Sequence, residues 1–154
     1  MWYFRKHHPK FIAKKELSKN IPSLSFALRN GGHTFIDRKS GDAAVQEVYK
    51  LGETIEKNNW SVCIYPEGTR SYNGVVKRFQ HGGTRSLITA SPSALIVPLA
   101  IKNNYKLQPN KYFMFDLGVT MEFVVLEPID PVDLTPEEAI NKAELLIKQE
   151  LKQA

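Results

Sequence analysis

With 154 residues, 42% of them hydrophobic and 24% charged, the chain is long enough to bury a core and too apolar to be disordered. Its longest apolar run, Ser93 to Ile101, falls far short of the ~18–20 residues of a membrane-spanning helix; no secretory leader pattern opens it, and the single Cys63 excludes an internal disulfide and fits a reducing, cytoplasmic setting. The net charge of +5 is concentrated, with six basic residues against one acid in Met1 to Asn20 and seven against none in Gly68 to Phe115, a pattern that expects an anionic partner or, more plainly, a solvated basic face.

In chain order, Met1-Trp2-Tyr3-Phe4 followed by Arg5-Lys6-His7-His8-Pro9 reads as the last turn of a core helix, with basic residues at its negative end and a proline beyond. A helix without its first turns leads us to expect that the chain is part of a longer one. Lys10 to Ala13 and His33 to Ile36 are short strand candidates. Ser40 to Asn58 is a helix with Ser40 as its cap, Asp42 in the first turn, and Val45, Val48, Leu51 or Gly52, and Ile55 on one face. Trp60 to Tyr65 reads as a buried strand stopped by Pro66, Gly82 to Ala90 as a helix, and Ala94 to Ile101 as a core strand. Lys102 to Asn110 reads as a loop and Met121 to Leu126 as a further strand. Thr135-Pro136-Glu137-Glu138 announces a final helix with a capping box, Ile140, Ala143, Ile147 and Leu151 forming its apolar face. The alternation of short apolar runs with amphipathic ones predicts an α/β fold in one domain.

Tyr65-Pro66-Glu67-Gly68-Thr69-Arg70-Ser71 is the segment richest in chemistry. It follows a strand, and α/β sheets bind ligands at strand C-terminal ends. Gly68 can take positive φ, successive N–H groups in such a turn make an anion-binding concavity, and Thr69 and Ser71 add hydroxyl donors. Arg70 offers a planar fork for a phosphate. Glu67 would repel one, so its expected role is to anchor the loop by accepting backbone or arginine hydrogen bonds. Alternatively, the segment is a plain Pro-Gly surface turn. Gly31-Gly32-His33-Thr34-Phe35-Ile36-Asp37-Arg38 repeats the theme, a glycine pair leading into a strand that ends in Asp-Arg.

Together these two segments, 26 residues apart from Arg38 to Tyr65 and followed by Leu95-Ile96-Val97-Pro98-Leu99-Ala100-Ile101, resemble the second, third and fourth sequence blocks of the glycerolipid acyltransferase family. The stretch Phe11-Ile12-Ala13-Lys14-Lys15-Glu16-Leu17 is similar to that of its 1-acylglycerol-3-phosphate acyltransferase branch. The resemblance runs from Lys10 to about Pro131 and implies a central, mostly parallel or mixed sheet flanked by helices. The implied reaction moves an acyl group from acyl-CoA or acyl carrier protein to the free hydroxyl of a lysophospholipid, 1-acylglycerol-3-phosphate, giving phosphatidic acid. It implies no metal or organic cofactor, and a peripheral place at an anionic, cytoplasmic membrane face. Arg38 and Glu67, Gly68, Thr69 and Arg70 would bind the acceptor's phosphate, with Lys14 or Lys15 adding charge; Lys77 to Gly83 stand where the family has a basic-aromatic stretch.

The family's catalytic block, His followed after four residues by Asp, is absent from these residues. Five positions beyond His7, His8, His33 and His81 stand Ile12, Ala13, Arg38 and Ser86. His33 and Asp37 are one residue too close and lie inside the second block. We therefore expect an acyltransferase domain over residues 1–154 that lacks its N-terminal, base-bearing part and is inactive alone. The alternative is a phosphate- or phospholipid-binding half-domain without catalysis. A nucleic-acid binder is disfavoured, because no interleaved basic-aromatic array is present.

Overall fold

Strand β1 (Lys10–Lys14) runs between β2 (Thr34–Ile36) and β3 (Val62–Cys63), parallel to both. This structure, a computed structural model, describes residues 9–18, 22–31, 33–37, 40–107 and 116–153. The expected helix end at Met1 to His8, the expected phosphate-binding residue Arg38 and part of the expected loop, 108–110, lie outside the described residues. Contacts divide the chain into two compact units, one of Met1–Ile64 with His81–Ala94 and the other of Tyr65–Gln80 with Leu95–Ala154.

In the first unit, register sets Lys14 opposite Ile36 and Phe11 opposite Cys63, so the C-terminal ends of all three strands point the same way. Parallel neighbours require crossovers. A 3-10 turn (Lys15–Ser18) and helix α1 (Pro22–Asn30) join β1 to β2, and helix α2 (Asp42–Asn58) joins β2 to β3. Helix α3 (His81–Ala90) packs on α2. The expected face of α2 is the buried one: Val48, Leu51 and Ile55 form a core with Leu87 of α3, and Ile12, Ile36, Trp60, Val62 and Ile64 pack against it.

Several sequence expectations needed correction here. Helix α1 had not been anticipated; Ser25 is buried in it and its hydroxyl donates to Leu17 O at 2.7 Å, fastening the helix to the preceding turn. Ser40 does not cap α2. Its hydroxyl donates to Asp37 O at 2.7 Å, and Gly41, at φ 46°, occupies the cap without a side-chain bond. The strand expected over Trp60 to Tyr65 shrinks to two half-buried residues, because β3 pairs on one side only and the chain then turns at Pro66.

In the second unit, β4 (Leu99–Lys102) and β5 (Glu122–Val125) pair antiparallel, from Leu99 opposite Val125 to Lys102 opposite Glu122. The core strand expected from Ala94 is therefore half as long. Pro98 has no N–H for a ladder; before it only Ile96 bridges, to Ile129, and Leu95 and Val97 are exposed. Within the expected loop, Asn104–Leu107 forms a single helical turn, α4. Helix α5 (Pro136–Glu150) has the anticipated start: Thr135 and Glu138 close a capping box, with Pro136 in the first turn. Ala139, Ile140 and Ala143 are buried, while Lys102 Nζ ties β4 to Glu150 of α5 at 2.5 Å and to Glu122 of β5 at 3.6 Å. Among the described residues no helix is long and apolar enough to cross a membrane.

Candidate functional site

The glycine-bearing loop after β3 is built as a stapled turn. Gly68 takes φ 72°, the left-handed conformation its sequence position anticipated, and its N–H donates to Tyr65 O at 3.1 Å. Gln80 N–H donates to Pro66 O at 2.8 Å. Glu67 is an anchor, as expected, since its Oε2 accepts from the Lys77 N–H at 2.8 Å. The Lys77 ammonium reaches further into the loop, donating to Thr69 Oγ1 at 2.8 Å and to Arg70 O at 3.1 Å.

Arg70 is exposed, with its guanidinium 5.7 Å from the centre of the Tyr72 ring. That distance allows a cation–π contact that helps to orient the guanidinium. Ser71, expected as a hydroxyl donor, gives its proton to Asn73 Oδ1 at 3.0 Å, and the same oxygen takes the Val75 N–H at 3.1 Å. Asn73 thus shapes the exit of the loop.

The segment 74–80 that staples the loop is itself held by α5 and the residues after it. Gln153 accepts the Val76 N–H at Oε1 and donates from Nε2 to Gly74 O, each at 2.8 Å. Glu144 accepts the Phe79 N–H at 2.9 Å and the Lys148 ammonium at 2.6 Å. Burial disfavours the Glu144 carboxylate, yet the hydrogen bonds from Lys148 and Phe79, with the charges of Lys148 and Arg78, outweigh it and lower its pKa. The acid-free sequence stretch is therefore not acid-free in space: Glu122, Glu144 and Glu150 arrive from later in the chain to meet Lys102 and Arg78.

In the other unit, Lys14 ends β1 and Lys15 begins the 3-10 turn, and both side chains are exposed. Parallel pairing sets Lys14 beside Ile36, just before Asp37, at the C-terminal edge where such sheets gather ligands. The structure distinguishes neither lysine as the better-placed charge. Lys10, by contrast, is buried; its ammonium donates to Gly31 O at 2.8 Å and lies 4.2 Å from the Trp60 ring centre.

His33 is a structural pin. Its Nδ1 accepts the Phe11 N–H at 2.9 Å, and its ring lies 5.3 Å from that of Phe11. Burial, and then the charge of Lys10, lower its pKa, so the neutral ring is favoured. A nitrogen committed to a backbone N–H does not serve as a base with Asp37 behind it. Cys63 is a half-buried strand residue, and among the described residues no group of three or more His, Cys, Asp or Glu is placed to hold a metal.

Lys77 is the residue that sequence reasoning passed over. It stood in the recognised basic-aromatic stretch, but nothing in its spacing revealed that both its backbone and its ammonium would return to the loop. The charge at position 77 followed by Phe79, which is buried, was the available signal.

Comparison with known proteins converges on one family. The acyltransferase family model matches residues 1–102. A 1-acyl-sn-glycerol-3-phosphate acyltransferase of Saccharomyces cerevisiae is 30% identical over 86% of this chain and 43% of its own length. The human beta form of that enzyme is 34% identical over 80% of this chain and 43% of its own. The crystal structure of a 1-acyl-sn-glycerophosphate acyltransferase from Thermotoga maritima superposes with a TM-score of 0.72 at 25% identity, covering 95% of this chain and 56% of that one. The chain thus spans about half the length of the relatives it matches.

Proposed function

This chain belongs to the acyltransferase family, and from that premise we propose that it carries the acceptor-binding part of a 1-acylglycerol-3-phosphate acyltransferase. In the proposed reaction the free hydroxyl of the lysophospholipid attacks the carbonyl of an acyl-CoA or acyl carrier protein thioester. The ester bond forms, the carbon–sulfur bond breaks, and phosphatidic acid and the free thiol leave; the step calls for no metal or organic cofactor.

The single observation that carries this reading is the loop at Glu67 to Arg70. It combines a left-handed Gly68, an exposed Arg70 and a Glu67 whose carboxylate is turned to a backbone N–H. We assign the substrate phosphate to Thr69 and the Arg70 fork on the turn that Gly68 shapes, with Glu67 holding the loop in place; the family resemblance adds Arg38 and Lys14 or Lys15 as further charge. A phosphomonoester is recognised by such a set because its oxygens accept several donors at once. The basic surplus supports a substrate held at an anionic membrane, and a peripheral position on the cytoplasmic face is part of the same proposal.

No His followed after four residues by Asp occurs among the 154 residues, so the chain as it stands is assigned binding without turnover. A positioned general base contributes about 10²–10⁴-fold, and its loss alone would suppress the reaction. The test is a binding titration with 1-oleoyl lysophosphatidate beside an acyl-CoA turnover assay. Saturable binding that Arg70→Ala removes, with no phosphatidic acid formed, is expected. Binding indifferent to Arg70→Ala would sink the assignment, and phosphatidic acid formed by the pure chain would overturn the missing-base argument.

A further inference from the structure

We infer that Lys77 is a positioning residue for the anion site, one that fixes the Thr69 hydroxyl as a donor toward the bound phosphate. The inference rests on the reading above that the Glu67–Arg70 loop takes the phosphomonoester of the acceptor.

A threonine hydroxyl has one proton to give and lone pairs that accept. The Lys77 ammonium, which is donor-only, gives a proton to Thr69 Oγ1 at 2.8 Å. That bond engages an acceptor lone pair and leaves the hydroxyl proton to turn elsewhere. Beside an anion, the direction that gains energy is toward its oxygens. The same ammonium holds Arg70 O at 3.1 Å, so the peptide that carries the Arg70 fork is fixed by the same group. The Lys77 main chain holds Glu67 Oε2 at 2.8 Å and turns the one carboxylate of the loop to the backbone. One residue therefore touches Glu67, Thr69 and Arg70 and gives each a defined orientation.

Lys77 also brings a positive charge within one hydroxyl of the proposed anion. A dianionic phosphomonoester gains more from that charge than a monoanionic one. The bound ligand's second phosphate pKa therefore reports on Lys77 in a way that a purely structural staple would not reproduce.

The experiment is a lysophosphatidate titration of the full chain and its variants, with the second pKa of the bound phosphate followed by phosphorus NMR. Lys77→Met should weaken binding about tenfold, the scale of one lost charge-assisted interaction, and should raise the bound phosphate's pKa relative to wild type. Lys77→Arg should restore most of both. In a Thr69→Val background, Lys77→Met should cost clearly less than in wild type, because the orienting bond has already gone. Lys77→Met that binds like wild type while Arg70→Ala abolishes binding would overturn the role of Lys77 and leave the loop reading intact. Equal losses from Lys77→Met with and without Thr69, with no pKa change, would also overturn it. If Arg70→Ala binds normally, the loop reading fails first and the inference falls with it.

Discussion

Glu144 Oε2 accepts the Phe79 N–H at 2.9 Å, a bond that joins α5 to the strap behind the Glu67–Arg70 loop across 65 residues of sequence. Phe79 is buried, so its N–H has little access to water as a substitute partner. Glu144→Ala strands that donor and should destabilise the protein by about 1–3 kcal/mol in denaturant unfolding. Glu144→Gln keeps an acceptor and should cost less. The Glu144 pKa is lowered in the fold, so its stabilisation is present above the ordinary value of 4.5 and is lost as pH falls from there through the folded value. Acid sensitivity in that window should diminish in Glu144→Gln; an unchanged acid limb would show that the carboxylate contributes nothing to it.

His33 predicts a second pH window, at the other compact unit. Its pKa is lowered from 6.5 by burial and by Lys10, so the unfolded chain takes up a proton before the folded one does. Stability is then fully present above pH 6.5 and declines as pH falls through the folded value. The thermal midpoint of wild type should drop between about pH 7.5 and about pH 5.5. His33→Asn places an amide oxygen where Nδ1 stood, so it can accept the Phe11 N–H without titrating and should flatten that drop. The same slope in both proteins would remove His33 from the account.

Local signals carried the α/β reading a long way. Thr135, Pro136 and Glu138 define the start of α5 by bonds within four residues, and the capping box is present as read. The spacing of Val48, Leu51 and Ile55 named the buried face of α2 because helical period and burial are the same information there. Where partners lie far away, local signals decide less. Ser40 had the right identity for a cap, but Asp37 O claimed its hydroxyl. Ala94 to Ile101 had the composition of a strand, yet Pro98 and the short partner β5 decided how much of it pairs. At the site, Gly68 and the anchoring of Glu67 were legible, whereas Gln153, Glu144 and Lys77 were not, since each acts over 7 to 79 residues.

Gly52 makes a third prediction, about the contact between α2 and α3. A Cβ there would stand 2.6 Å from Ala90 Cβ and 3.2 Å from Leu87 O, neither of which is the end of a flexible side chain. Gly52→Ala gains up to ~1 kcal/mol of helix propensity. Forcing the helices apart typically costs about 1–3 kcal/mol, so the net should be destabilising. Denaturant midpoints would settle the sign, and a midpoint above wild type would mean that α2 and α3 separate without strain.

Gly74 combines two constraints that can be measured apart. It sits at φ 79°, where an L residue is strained, and an added Cβ would meet the Tyr105 ring at 2.6 Å. Gly74→Ala should therefore cost about 1–2 kcal/mol for the backbone and about 1–3 kcal/mol for the clash. Tyr105→Ala removes the ring but leaves the backbone conformation unaltered. In that background Gly74→Ala should cost only the backbone share, a coupling visible in a double-mutant cycle. Because Gln153 Nε2 binds Gly74 O and its Oε1 binds Val76 N–H, Gly74→Ala should also speed amide exchange at Val76. Full additivity of Gly74→Ala and Tyr105→Ala, with no change in exchange at Val76, would mean that the ring yields freely and that the strap does not depend on the shape of this turn.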